Sequence, residues 1–218
     1  MDVCIAHRGL WDNKYPENSL GAFKEAVRKK IAVEFDVRLT RDNKLVVFHD
    51  KRTGRMCEAD IAISEASLRT LKYFWLKDSE ERIPELKEVL DVINGKVPIL
   101  VELKPDKNYG TLTRKFLDAI KDYNGEIWIE SFNKQIIKTI KLYTNRYKCG
   151  LLSRGLILRH KDIDFIAYDI TRRESIRFKL TKFFCHVPLV GWTAKHKHYN
   201  VYMPPFNHII FDYVDIDV

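Results

Sequence analysis

The chain has 218 residues, of which 45% are hydrophobic, 12% aromatic and 31% charged. This composition excludes a disordered chain, which would lack the apolar surface needed to offset ordering entropy. No apolar run approaches the ~20 residues that a bilayer span needs. The first residues lack the basic and apolar regions of a signal peptide, and the four cysteines are far apart without a CxxC pair. We therefore expect a cytoplasmic protein with reduced thiols.

The net charge of +8 is concentrated in residues 133–183, which hold 13 Lys and Arg against 4 Asp and Glu. A basic region of this kind can meet nucleic acid, anionic lipid or a phosphorylated substrate. It can equally be a solvated surface without a specific partner.

Short apolar runs alternate with amphipathic segments along most of the chain. The runs typical of strands are 3–6, 32–37, 45–48, 99–103, 127–129, 149–152, 165–168, 187–192 and 209–211. Helical spacing is found in 19–29, 84–94, 111–122, 133–144 and 173–184. This alternation predicts a parallel sheet covered by helices. About eight such units in this length favour a compact (β/α)8 barrel, with a doubly wound open sheet as the alternative.

Residues 51–82 fit the alternation least well. Their start, DKRTGRMCEADI, is typical of a loop or small excursion, and a helix is predicted over 63–76. No Pro-, Gly- or Ser-rich linker, internal repeat or low-complexity tract interrupts the sequence. We expect one domain over residues 1–218.

Carboxylates occur where two of the predicted strands end. Glu34 and Asp36 share one face of the segment AVEFDVRL, and Glu102 and Lys104 share one face of PILVELKP. In a parallel barrel, such positions point into the mouth, where barrel enzymes carry out their chemistry. Three carboxylates there would suit a hard cation such as Mg²⁺ or Ca²⁺. Lys104 would be a fixed positive charge for an anionic substrate, or simply the salt-bridge partner of Glu102.

Two histidines close predicted strands, His7 in CIAHRG and His49 in VVFHD. A lone histidine is more often a structural hydrogen-bonding group than a catalyst. Two of them beside a carboxylate cluster can divide the roles of general acid and general base. His196 and His198 lie among lysines and are typical of a solvated loop. The GxSxG, GxGxxG and GxxxxGK[ST] motifs are absent from the sequence.

The segments AHRG, YPENSLGAF, VEFDVRLTRDNKLVVFHD, IPELKEVL and VELK, in this order, resemble the glycerophosphodiester phosphodiesterases. The similarity continues more weakly through SF at 131–132, GWT at 191–193 and IIFDY at 209–213. The resemblance implies a TIM barrel that hydrolyses glycerophosphodiesters to glycerol 3-phosphate and an alcohol. The residues that it implies are Glu34, Asp36 and Glu102 for a Mg²⁺ or Ca²⁺ ion, His7 and His49 for catalysis, and Arg8 and Lys104 for the phosphate. Trp192, in the GWT segment, is a candidate for the substrate pocket.

Two other functions remain open from the sequence. One is a related barrel phospholipase, sphingomyelinase D-like or phosphoinositide-specific, and the other is a non-catalytic protein that binds phosphorylated ligands. We expect Ile176 and Leu180, on one face of the basic segment 172–184, to be buried against the strands. The protein is then expected to act on small water-soluble diesters, without nucleic acid and without stable membrane insertion. We assign the base to His7 and the acid to His49. Whether the substrate's own hydroxyl or water attacks, and the oligomeric state, stay open.

Overall fold

Eight parallel strands form a closed barrel in the computed structural model, which describes residues 4–158, 161–195 and 204–212. The first barrel strand pairs with both the second and the last, and this pairing closes the sheet. The barrel strands are β1 (Cys4–His7), β2 (Ala32–Leu39), β4 (Ile99–Leu103), β5 (Ile127–Ser131), β6 (Lys148–Ser153), β7 (Phe165–Asp169), β8 (Leu189–Ala194) and β9 (His208–Phe211). The predicted barrel is confirmed, and the open-sheet alternative is wrong.

The helices follow the predicted periodicity closely. They are α1 (Leu20–Arg28), α2 (Leu68–Leu71), α3 (Leu86–Ile93), α4 (Tyr109–Ile120), α5 (Lys134–Tyr143) and α6 (Ile176–Phe184). Side chains cap the starts of several helices. At the start of α1, for example, the Ser19 side chain accepts a hydrogen bond from the Ala22 amide. No helix in the described residues is both long and apolar enough to cross a membrane.

The ninth strand, β3 (Leu45–Val47), lies outside the closed barrel. It runs antiparallel to the end of β2, with Val37 opposite Val47. The sequence suggested that His7 and His49 occupy equivalent places, each at the end of a barrel strand. The structure shows that they do not, because only His7 ends a strand of the barrel. The chain leaves the barrel at the end of β2, turns, and returns until the Phe48 amide donates to the Asp36 carbonyl. This return brings His49 to the mouth from outside the strand ring.

Residues 51–82 contain less helix than predicted. A 3-10 turn (Ile63–Glu65) is followed by the single turn of α2, with Ala66 extended between them. The predicted continuous helix over 63–76 is therefore wrong. Ser67 explains the interruption, because its side chain caps the Thr70 amide and so begins a new helix there. The segment's apolar residues form a small core of their own with the end of β3.

Two apolar layers place the polar residues of the barrel. Val33, Phe35 and Val37 of β2 belong to the layer between strands and helices. A separate cluster, which includes Leu100 and Trp128, fills the barrel interior. Glu34 and Asp36 alternate with Val33, Phe35 and Val37 along β2, so their side chains point to the barrel side of the sheet. They lie above the interior cluster and are therefore directed toward the mouth.

Helix α6 packs on the barrel with a different face from the one predicted. Ile176 and Leu180 are 68% and 37% exposed, so the expectation that they are buried is wrong. Phe178 and Thr181 are buried instead. Residues two positions apart lie about 200° apart around a helix axis, and burial of Phe178 therefore turns Ile176 and Leu180 outward.

Aromatic packing accounts for this orientation of α6. The Phe178 ring lies 4.8 Å from the Tyr168 ring and 5.5 Å from the Phe206 ring, measured between centroids. On the same face, the Thr181 hydroxyl accepts a hydrogen bond from the Ile157 amide at 2.9 Å. One large aromatic side chain and one satisfied hydroxyl thus outweigh the burial of two aliphatic side chains.

We expect Phe178→Ala to lower the free energy of unfolding by about 3–5 kcal/mol, because it leaves a cavity between aromatic rings. Phe183→Ala on the same helix is the matched control, since Phe183 is 71% exposed. It should change the free energy of unfolding by no more than about 0.5 kcal/mol. Urea unfolding followed by circular dichroism measures both, and equal losses would contradict this orientation of α6.

Candidate active site

A cavity of about 590 Å³ opens at the carboxyl ends of the barrel strands. Seven of the eight residues singled out in the sequence line it: His7, Arg8, Glu34, His49, Glu102, Lys104 and Trp192. The eighth, Asp36, is buried and lies against Lys104 and Arg8. The structure thus brings all eight residues to one site. His196 and His198 lie outside the described residues.

The turn after β1 has a left-handed backbone at two successive residues, Arg8 (φ 59°) and Gly9 (φ 82°). A Cβ on Gly9 would come within 3.0 Å of the Ala22 Cβ, so glycine is required both by conformation and by space. Arg8 adopts its unfavourable conformation while its amide donates to the Glu34 carboxylate at 3.1 Å. The HRG segment is therefore a tight turn that directs a backbone donor at the first carboxylate of β2.

The PEN segment supports the same region from the other side. The backbone amide of Asn18 donates to the Arg8 carbonyl, and the side-chain nitrogen of Asn18 donates to the Asp36 carboxylate at 2.9 Å. Glu17 accepts a hydrogen bond from the Arg8 guanidinium at 2.8 Å. The two turns thus hold each other, and both contact the carboxylates of β2.

Glu34, Asp36 and Glu102 place one carboxylate oxygen each within 4.8 Å of one another. Strand register explains part of this convergence, because Asp36 is directly opposite Glu102. Glu34 lies opposite His7 on the other neighbour of β2. The side chains of these three acids are buried.

A fourth buried carboxylate, Glu130, joins this cluster and was missed in the sequence. It lies opposite Glu102 in the register of β4 and β5, so Asp36, Glu102 and Glu130 form one row across three strands. The alternation in IWIES contained the signal: Trp128 faces the barrel interior, and Glu130 follows it by two residues.

Two cations, the buried Lys104 and the half-buried Arg8, balance part of this negative charge. The Lys104 ammonium lies 2.6 Å from Glu102 and 2.9 Å from Asp36, and the Arg8 guanidinium lies 3.5 Å from Asp36. Burial would raise the pKa of Asp36, but Lys104 and Arg8 together hold it well below its usual range. Asp36 is therefore an ionised carboxylate that both cations share.

The other three acids shift in the opposite direction. Burial and then the charge of Asp36 raise the pKa of Glu34 well above its usual value. Burial and then the charge of Glu102 do the same to Glu130. The pKa of Glu102 is raised to about 7, because burial exceeds the stabilising effect of Lys104. The cluster as it stands therefore favours protons, or another positive charge, on these groups.

The donor set fits a hard divalent cation. The ligand atoms are all carboxylate oxygens, the kind that Mg²⁺ and Ca²⁺ prefer. Glu102 Oε1 and Glu130 Oε2 are buried without a hydrogen-bond partner in the described part of the chain. Buried carboxylate oxygens are ordinarily satisfied, and a cation would satisfy these. The buried acidic triad can therefore hold a divalent metal ion.

Each histidine at the mouth is paired with a carboxylate through its Nδ1 atom. His7 Nδ1 donates to Asp212 at 2.5 Å, and His49 Nδ1 donates to Asp50 at 2.6 Å. Burial alone would raise the pKa values of both acids. The pKa of Asp212 is nevertheless lowered by its hydrogen bond from His7, and that of Asp50 by hydrogen bonds from Arg55 and His49. Because an ionised carboxylate only accepts, the proton on each ring is fixed at Nδ1.

Asp212 and Asp50 extend the sequence-predicted set by two residues. Asp50 follows His49 directly, and Asp212 lies after β9 in the weaker IIFDY segment. Arg38 adds a further support, since its guanidinium donates to the His49 carbonyl at 2.9 Å. Burial lowers the pKa of His49, which favours its neutral form in the free protein.

Aromatic side chains form one wall of the cavity. Trp192 meets Phe132 edge to face, with the ring centroids 5.6 Å apart. The Arg154 guanidinium lies 4.9 Å from the Trp192 ring. This wall gives the polar site an apolar side bordered by a positive charge.

Comparison with known proteins identifies the family. A family model described as the glycerophosphoryl diester phosphodiesterase family matches residues 7–177. The chain belongs to this family. Its members are phosphodiesterases, and the enzyme class of the chain is therefore that of a phosphoric diester hydrolase.

Individual relatives support the assignment. The chain is 36% identical over 168 residues to a glycerophosphodiester phosphodiesterase from Caldanaerobacter subterraneus subsp. tengcongensis, covering 71% of this chain and 68% of the relative. It is 30% identical over 135 residues to human lysophospholipase D GDPD1, covering 56% of this chain and 42% of that protein. A phosphodiesterase structure from Oleispira antarctica in complex with the product sn-glycerol-3-phosphate has the same fold, with a TM-score of 0.82 and 22% identity. The alignment covers 97% of this chain and 93% of that one.

The metal-free protein should lose stability as the pH rises from about 4.5 to about 7, as follows from the raised pKa of Glu102. In this window the folded state binds more protons at these carboxyls than the unfolded state does, so the free energy of unfolding falls with pH. The lowered pKa of His49 has the opposite effect: at pH values below the usual histidine pKa, it makes the free energy of unfolding rise with pH.

Glu130→Gln separates the effect of the buried carboxyl groups from that of His49, because it replaces one acid of raised pKa with a neutral side chain. We expect this variant to match the unmodified protein near pH 5 and to exceed its stability increasingly toward pH 8. Urea unfolding in chelator at several pH values measures the difference. Glu58→Gln, on the exposed surface, is the control for loss of one negative charge. A constant difference for Glu130→Gln across the range would contradict the raised pKa.

Proposed function

We propose that the protein hydrolyses glycerophosphodiesters to glycerol 3-phosphate and an alcohol, using a divalent cation together with His7 and His49. The observation that carries this proposal is the pair of imidazoles, each fixed by a carboxylate at Nδ1, on one cavity with the acidic triad. Two similar proteins support the choice of substrate: the Caldanaerobacter relative is a glycerophosphodiester phosphodiesterase, and the Oleispira structure is a complex with the product sn-glycerol-3-phosphate.

Glu34, Asp36 and Glu102 would hold the cation, which we propose to be Mg²⁺ or Ca²⁺. A bound divalent ion supplies charge neutralisation for a phosphoryl group as negative charge grows in the transition state. Glu130, whose pKa is raised by burial and by Glu102, lies beside the triad, and a cation there would favour its ionised form. The chain's own contribution is to hold these acids together, through Asn18, Lys104 and the Arg8 amide.

Arg8 and Lys104 would bind the non-bridging oxygens of the phosphate. Both line the cavity, and each has more N–H donors than its described ion pairs require. Hydrogen bonds from charged donors to phosphate are stronger than neutral ones and orient the group. The Trp192 wall would contact the non-reacting part of the substrate.

The histidines would exchange protons through Nε2, since Nδ1 of each ring already donates to a carboxylate. One removes a proton from the attacking hydroxyl, and the other donates a proton to the departing alcohol oxygen as its bond to phosphorus breaks. We assign the base to His7 and the acid to His49. Burial lowers the pKa of His49, and the negative charge of a bound phosphodiester acts against this lowering.

The attacking hydroxyl is either water or the glycerol hydroxyl next to the phosphate. In the second case a cyclic phosphate forms first, and water then opens it with the two histidines in exchanged roles. A panel of water-soluble glycerophosphodiesters with different alcohols tests the activity, with glycerol 3-phosphate as the product measured. Lysophosphatidylcholine belongs in the panel as the probe of the phospholipase alternative. Failure to release glycerol 3-phosphate from every diester would contradict the proposed function.

We also propose that residues 1–218 act as one domain with 51–82 as an excursion from it. Ion pairs and backbone contacts tie the excursion to the barrel, with Arg55 bound to Glu17 at 2.5 Å and Glu81 accepting from the Gly21 amide at 3.1 Å. The small core of the excursion also continues from the end of β3.

Removal of divalent metal should abolish turnover, and Mg²⁺ or Ca²⁺ should restore it. Metal should also raise the melting temperature, because it binds the folded state and relieves repulsion among buried carboxylates. Glu102→Gln should weaken both effects together, and Glu58→Gln should change neither. Isothermal titration calorimetry measures binding independently of activity. Full turnover after exhaustive chelation would exclude a metal requirement.

His7→Ala and His49→Ala should each reduce turnover by roughly 100-fold or more, in line with general acid–base contributions. A nitrophenyl leaving group should rescue the acid variant in part, because a stable leaving anion needs less protonation. Our assignment predicts rescue of His49→Ala and not of His7→Ala. Both variants should keep the far-ultraviolet circular dichroism of the parent. Rescue of His7→Ala alone would reverse the assignment.

A further inference from the structure

An apolar stripe follows the solvent side of α6. Ile176, Leu180 and Phe183 recur at helical spacing along it, and Phe184 lies beside Phe183 with the two rings edge to face at 5.1 Å. Phe183 is 71% exposed and Phe184 46%. Four large apolar side chains on one short helix are more than scattered surface hydrophobics, and contiguous patches of this kind mark interaction sites.

The crossover before α6 explains why this stripe is uncovered. Residues 154–164 connect β6 to β7, and their described part contains no helix. This crossover lies against α6 at Ile157, whose amide donates to the Thr181 hydroxyl and whose carbonyl accepts from the Cys185 thiol. Its outward residues, Leu156 and Leu158, are exposed as well. In the described part of the chain, the side of α6 that a neighbouring helix covers in a full barrel is thus open.

Basic residues border the stripe. Five Lys or Arg lie between residues 170 and 185, with Glu174 as the single acid. Arg173 and Lys179 lie 3.7 and 3.9 Å from Glu174. The other three have no ion-pair partner in the described part of the chain, and they are Arg172, Arg177 and Lys182. We refer to the stripe with this basic border as the α6 face.

We propose that the α6 face docks the protein on anionic phospholipid membranes. A basic helix with an apolar stripe lies in the headgroup region, where the stripe enters the acyl boundary and Lys and Arg meet lipid phosphates. The helix is already folded and capped by Ser175, so binding does not require it to order. The membrane contact would be peripheral, since α6 has only nine residues.

The charge of the α6 face favours a lipid surface over a second copy of the chain as its partner. A second copy of the chain would bring one basic border against another, and such like-charge contact is repulsive. An anionic headgroup layer is complementary to the whole border at once.

The start of the α6 face follows the active-site mouth closely in sequence. Asp169 and Thr171 line the cavity, and α6 begins five residues after Thr171. Docking would therefore bring the mouth near the headgroup layer, where lipid-derived phosphodiesters occur. The binding itself does not depend on the proposed chemistry. The expectation of small water-soluble diesters without stable membrane insertion was based on burial of Ile176 and Leu180, and that burial is not observed.

Vesicle flotation of the full chain tests the proposal. We expect binding to vesicles of equal parts phosphatidylglycerol and phosphatidylcholine, weak binding to pure phosphatidylcholine, and release at high salt. Ile176→Ser with Phe183→Ser should reduce the fraction bound at least about tenfold, and Arg172→Gln with Arg177→Gln should do the same. The matched control is Leu142→Ser with Lys138→Gln, on the exposed surface of α5, and it should bind like the parent.

All three double variants should keep the parent's melting temperature and its turnover of soluble glycerophosphodiesters, because none of these residues lines the cavity. Turnover thus reports on the proposed function, and flotation reports on docking. Absence of binding to the anionic vesicles, or binding that survives the Ile176 and Phe183 substitutions, would overturn the proposal. So would sedimentation velocity that shows a dimer dissociated by those substitutions without vesicle binding, which would assign the face to a second copy.

Discussion

The burial of several carboxylates side by side is the constraint on which the rest of the site depends. Isolated charges of one sign cannot be taken out of water together without compensation. Here Asp36 is ionised because Lys104 and Arg8 share it, while Glu34, Glu102 and Glu130 have raised pKa values. The turns around the site exist to supply donors for these groups. Arg8 adopts a left-handed backbone and directs its amide to Glu34, and Asn18 does likewise with its side chain toward Asp36.

The same arrangement separates the roles of the surrounding residues. Two cations contact the carboxylate cluster, whereas the two histidines are held by separate acids at the rim. An imidazole whose Nδ1 proton is fixed presents the unprotonated Nε2 when neutral and two donors when charged. Because Asp50 also bonds Arg55, which in turn bonds Glu17, the His49 ring is tied to the PEN turn through a chain of ion pairs. The excursion after β3 therefore helps to position His49 at the rim of the mouth.

Much of the fold and of this site could be predicted from local sequence pattern. Alternation along β2 placed Glu34 and Asp36 on one face, and the strand order then brought Glu102 beside them. Glu130 was equally visible in its alternation, but the predicted strand ended at residue 129, just before it. Asp212 could not be assigned to His7 because the two are 205 residues apart, and only barrel closure brings them together.

The errors of prediction also have physical causes. The segment of β3 has the composition of a barrel strand, yet its short connection to β2 allows only an antiparallel return. In α6, aliphatic spacing suggested one buried face, while the fit of Phe178 between Tyr168 and Phe206 decided for the other. Helical periodicity identifies an amphipathic helix, but its rotation is set by the shape of the surface on which it packs.

The crossover between β6 and β7, whose described part contains no helix, has a consequence for the barrel as a whole. Helices α4 and α5 shield β4 and β5 from water, whereas this part of the wall is covered by a segment anchored through Ile157. Local opening costs least where few apolar contacts must be broken. We expect the amide hydrogens of β6 and β7 to exchange with solvent before those of β2 and β4, so that the half of the barrel carrying the acidic cluster stays closed longest.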